Sequence, residues 1–75
     1  MPLRILLRHH DVGNRLQTVA RVVDAEGVDR LQALGYPADT YTITSHSAAE
    51  RASAVAHLRT TLAERAAAAG HSIEG

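Results

Sequence analysis

Cysteine, phenylalanine, tryptophan and lysine are all absent from this 75-residue chain, and Tyr36 and Tyr41 are its only tyrosines. Each absence excludes something. Without cysteine no disulfide can staple the fold, and no thiolate can bind metal or act as a nucleophile. Without Phe or Trp the core has to be built from Leu, Ile and Val with two tyrosines. No apolar run approaches the ~18 residues of a membrane-spanning helix, so no membrane contact is expected. Met1-Pro2-Leu3-Arg4 lacks the apolar stretch of a signal peptide, because Arg4 and Arg8 bracket only a few apolar residues. A cytoplasmic protein is the expectation.

Length adds a further limit. A chain this size has room for one core and buries only roughly 60% of its extended surface. One small α+β domain over residues 1–75 is expected. The usual supports for so small a scaffold are disulfides, metal or oligomerisation. The first is excluded, which moves oligomerisation forward. Eight arginines balance eight acidic residues. That balance argues against a general electrostatic attraction to nucleic acid or to an anionic membrane.

What is present is a strong hairpin pattern from Leu3 to Asp24. Leu3, Ile5 and Leu7 alternate with Arg4, Leu6 and Arg8, the period of a half-buried strand. Beyond Gly13–Asn14 the alternation resumes through Leu16, Thr18, Ala20 and Val22. A Gly13–Asn14 loop suits a type II′ turn, whereas Val12–Gly13 would force a β-branched residue to positive φ. The second choice would also set Arg4 opposite Arg21, and like charges directly opposite destabilise a sheet. The first pairs Arg4 with Val23, Leu6 with Arg21 and Arg8 with Val19, and on the other face Ile5 with Val22 and Leu7 with Ala20. That register is the expectation.

Downstream, Asp24 reads as an N-cap for a short helix over about Ala25 to Leu34, with Val28, Leu31 and Leu34 on one face and Gly35 closing it. Thr40 to Ser45 reads as a strand of β-branched and aromatic residues. Ser47-Ala-Ala-Glu50 is a capping box. It opens a long helix to about Ala69, closed by Gly70, whose apolar stripe is Ala48, Ala52, Val55, Leu58, Leu62 and Ala66. His71 to Gly75 reads as a frayed tail. The expected fold is ββαβα: a three-stranded mixed sheet with two helices packed on one face. Strand three is expected parallel to strand two, beside strand one in preference to the alternative place beside strand two. The distal hairpin, Leu7 to Thr18, then keeps an uncovered strand edge, a template for another chain.

Several residue groups invite a functional reading. Arg4, Arg8, Arg15 and Arg21 share the open sheet face with Leu6, Val19 and the threonines Thr40, Thr42 and Thr44, and no acidic residue lies on that face within the strands. Arginine forks suit phosphates and carboxylates. The face has no aromatic side chains to stack bases, while the interleaved Leu6 and Val19 fit a protein interface. Arg4, Leu6, Arg8, Arg15, Val19 and Arg21 are therefore the expected partner-binding residues. His9-His10-Asp11 and His46 offer metal-ligand types, but neighbouring strand residues point to opposite faces, and His46 is expected at the other end of the sheet. No metal or cofactor site is expected. Ser45, His46, Ser47 and Glu50 hold the residue types of nucleophilic catalysis, but capping already accounts for Ser47 and Glu50. His57 is expected on the helix surface, and the Ala66–Ala69 run as small packing residues that would also let another helix approach. The expected function is a non-enzymatic protein–protein interaction or regulatory module, homodimeric, using the Arg face, the hairpin edge or both. The alternative is a small nucleic-acid-binding protein using the same arginines on phosphates, which salt dependence would reveal.

Overall fold

The computed structural model describes residues 2–74. Its elements run β1 (Pro2–Val12), β2 (Arg15–Val23), β3 (Tyr41–Ser45), α1 (Ala48–Ala68) and β4 (Ser72–Glu74). The hairpin forms in the expected register, with Arg4 opposite Val23, Leu6 opposite Arg21 and Arg8 opposite Val19. Gly13 sits at φ +60°, and no non-glycine residue among those described has positive φ, the signature of a type II′ loop.

The rest of the sheet corrects the expected architecture. Among the described residues it has four strands in the order β3-β2-β1-β4, and one helix covers it instead of two. β3 lies beside β2 and antiparallel to it, with Leu16 opposite Ser45 and Ala20 opposite Tyr41, and not parallel to β2 at a place beside the first strand. The reason lies in the segment before it. Residues 25–34 are not an α-helix; they contain one 3-10 turn, Gln32–Leu34.

Asp24 does cap backbone N–H groups, but those of a loop: its Oδ1 accepts from Glu26 and Val28, at 2.9 and 3.0 Å. Gly27 takes a left-handed φ of +81°, and the chain doubles back there. The Asp24 N–H donates to the Val28 carbonyl, and Arg30 N–H donates to Val22 O at 2.8 Å. The three-residue spacing of Val28, Leu31 and Leu34 suits a 3-10 turn as well as a helix face. Leu31 and Leu34 are buried, while Val28 is 48% exposed. Without a helix to carry it back up, the chain stays at the lower end of β2. From there an antiparallel neighbour needs only a loop, whereas a parallel one needs a crossover.

The crossover comes later. α1 starts near the hairpin turn, where Ser45 pairs with Leu16, and runs down the inner face. Ser47 Oγ accepts the Glu50 N–H at 3.1 Å, and Glu50 reaches back to the His46 N–H. At the other end Gly70, at φ +81°, reverses the chain. Its N–H donates to Ala67 O, and His71 N–H donates to Ala66 O at 2.8 Å, a complete Schellman pair. That reversal delivers Ser72–Glu74 to β1 as a parallel strand, with Leu3 opposite Ile73. Within the expected frayed tail of residues 71–75, Ser72–Glu74 is an edge strand, and Gly75 lies outside the described residues.

The core lies between α1 and the lower sheet: Leu3, Ile5, Ala20 and Val22 from the strands, Leu31 and Leu34 from the loop, and Leu58, Leu62 and Ala66 from the helix. Leu3, Leu31 and Leu62 are fully buried, each worth about 1.5–3 kcal/mol of burial. Arg65 ties the loop to the helix. It donates to Leu34 O at 3.2 Å and lies 4.6 Å above the Tyr36 ring, which meets Tyr41 edge-on. Among the described residues no helix is long and apolar enough to cross a membrane.

Candidate interaction surface

The strand alternation that built the core also sets the opposite, outer face. Arg4, Leu6, Arg8, Arg15, Val19 and Arg21 all stand on it, as parity requires. Leu6, Arg8, Val19 and Arg21 line one shallow depression of about 390 Å³. Arg15 belongs to another nearer the turn, of about 330 Å³, with His10, Val12 and Gln17. Arg4 stands apart at the lower end. Leu6 and Val12 are 40% and 59% exposed, among the largest apolar side chains left to water.

The face is less basic than its strands alone imply. The loop brings Asp29 to Arg21, Oδ2 lying 3.1 Å from Nε. Glu74 pairs in register with Arg4 and shares its face. Both acids come from segments whose placement the hairpin does not specify. They lower the positive potential at two of the four arginines.

Edges matter as much as faces. β3 covers the upper half of β2, and the loop pairs with its lower end through the Val23–Asp29 bridge. β4 covers β1 only from Pro2 to Arg4. The uncovered hairpin edge therefore lies on β1 alone, above the last β4 pair, and not on both arms. Its inner side opens into a groove of about 400 Å³ under the first half of α1, lined by Leu7, Ala52, Val55 and Ala56 with Arg51 and Arg59 at the rim. Arg51 also forms an ion pair with Asp11, and its Nε is buried without a hydrogen-bond partner.

Sequence patterning alone does not mark this groove. Ala48, Ala52 and Val55 read as the upper part of a core stripe, yet only Leu58, Leu62 and Ala66 of that stripe are buried. One signal does point to it: a helix as long as the hairpin arm, above a strand partner much shorter than either. On the other flank of α1 lies a cavity of about 560 Å³ along β3, lined by Tyr36, Ile43, His57 and Arg65 among others. Arg65 is already held by Leu34 and Tyr36.

The histidines separate. His9 faces inward, its Nδ1 3.0 Å from the Oγ1 of buried Thr18 in a hydrogen bond whose donor depends on the tautomer. His10 faces outward with Val12. His46 lies at the hairpin-turn end, beside the Leu16–Ser45 pair, and not at the far end as expected, because β3 runs upward. Even so, no group of three or more metal-ligating side chains forms among the described residues. The carboxyl of Asp24 is displaced from its ordinary range. The Val28 N–H, helped by the Arg30 guanidinium and the Glu26 N–H, holds its carboxyl below the ordinary value of 3.8, against the opposing effect of burial. That carboxylate anchors the loop between β2 and β3. No family model, curated protein or solved structure matches the chain.

Proposed function

We propose that this chain is a non-enzymatic protein–protein interaction module, homodimeric, which binds through the upper edge of β1 and the Arg-framed face beside it. The observation that carries this reading is the coincidence of an unpaired strand edge with an apolar groove. Unpaired N–H and C=O groups recruit another strand, and a groove next to them holds the incoming side chains. A chain this small also gains the core it lacks by sharing one with a partner. Asp29 and Glu74 beside the outer arginines favour a protein partner over the phosphates of nucleic acid.

Solution mass by light scattering over a wide concentration range tests it. A dimer is expected, and replacing Leu6 and Val19 together by Asp should lower the mass while circular dichroism stays unchanged. A single-chain mass at every concentration overturns the reading.

A further inference from the structure

The edge itself selects its partner and register. In a two-residue hairpin the pair closing the loop is hydrogen-bonded, and such pairs then alternate along the ladder. Val12 and Arg15 close this loop. Even-numbered β1 residues thus bond to β2, and Leu7, His9 and Asp11 direct their N–H and C=O groups to the free side. We infer that a second copy of this chain adds its own β1 there, antiparallel, with His9 opposite His9 across a two-fold axis. The inference rests on the interaction-module reading above.

Three constraints lead to that register. β4 occupies the edge from Pro2 to Arg4, so pairing centred on Leu7 collides with it. Centring on Arg8 sets two arginines directly opposite, and centring on Asp11 sets two aspartates opposite, both destabilising. Centring on His10 leaves Leu6 without a strand residue across from it. Centring on His9 avoids all of these and keeps a seven-residue ladder that clears β4, from Leu6 to Val12. It places Leu6 against the partner's Val12 twice, joining two side chains that are 40% and 59% exposed in one copy.

The inner face agrees. Leu7 then stands opposite the partner's Asp11. Asp11 is level with Arg51 in its own chain. Four residues down β1, about 13 Å, is Leu7. Eight residues along α1, about 12 Å, is Arg59, which lines the same groove as Leu7. The partner's Asp11 therefore arrives level with Arg59, bringing its own Arg51 as counter-ion. The two-fold axis also sets both helices on one side of a continuous eight-stranded sheet, each presenting Ala52, Val55 and Ala56 across the joined grooves. Roughly fourteen residues per copy at roughly 35 Å² each bury about 1,000 Å² in total, the lower limit of a specific interface.

The test is a charge swap with amide exchange as a second readout. Leu6→Glu should weaken the dimer at least tenfold in sedimentation equilibrium, as should Val12→Lys. The double variant sets opposite charges against each other at both symmetry-related crossings, and should recover most of the affinity. In the wild type the His9 and Asp11 amides should gain protection as concentration rises. A dimer whose His9 and Asp11 amides stay unprotected, or a double variant weaker than either single one, overturns the register and leaves the module reading standing. A monomer at all concentrations overturns both.

Discussion

At its lower end the hairpin has a neighbour on each edge and a helix above it; at its upper end β1 has neither edge partner nor full cover. Leu3, Ile5 and Val22 are sealed by Leu31, Leu34, Leu58 and Leu62, with β4 and the loop closing the sides. Leu7, Ala52 and Val55 belong to the same apolar stripes one or two turns higher, and they line an open groove. The same residue types are core in one half and surface in the other. The difference is the chain that arrives from elsewhere: the short strand β4 and one 3-10 turn, both at the lower end.

A graded set of substitutions, closing with a titration, tests that division from the strongest effect down. Leu62→Ala removes a fully buried side chain and should cost about 2–5 kcal/mol in denaturant unfolding. Val55→Ala, two turns earlier on the same helix, should cost about 1 kcal/mol or less. Equal losses would mean that the two halves are not distinct. Next, Gly70→Ala meets no steric contact but forces a left-handed φ, worth about 1–2 kcal/mol. Because Gly70 delivers β4, hydrogen exchange should speed up at Leu3 and Ile73 more than in the upper hairpin.

Ser47→Ala removes the cap of α1 at the upper end and should cost about 1 kcal/mol. Exchange should quicken in the first turn of the helix and leave the lower core unchanged. The mildest test is a titration. Asp24 has a folded pKa below its ordinary 3.8, so its ionised form favours the folded state. That contribution is complete above the ordinary value and is lost as pH falls through the lowered one. Thermal melts taken into acid should show the loss, and Asp24→Asn should flatten that part of the profile. If the Asp24→Asn variant keeps the wild-type acid slope, the loop anchor is not its source.

Much of the local structure is legible without the fold. Register follows from one positive-φ glycine and one pair of arginines that have to be kept apart. The capping box at Ser47 and the glycine stop at Gly70 stand where their residues place them. The outer-face residues are legible too, since alternation alone assigns them. The segment from Ala25 to Leu34 misleads because its cues are ambiguous: a capping carboxylate serves an Asx loop as readily as a helix, and a spacing of three fits a 3-10 turn. Gly27 is the decisive residue, at a left-handed φ that a helix interior does not use. Ser72–Ile73–Glu74 carries no strand signal of its own. It becomes a strand because the Schellman reversal sets it against β1, at the opposite end of the chain.

By itself, then, the sequence determined the hairpin, its turn and register, the long capped helix and which side chains face outward. All of these depend on contacts between near neighbours or on a strict alternation. Only the tertiary structure decided the strand order, the single helix, the acids that border the arginine face and the stretch of β1 left unpaired. Each of those depends on where a distant segment comes to rest, and the competing arrangements differ by a loop conformation that no local pattern encodes.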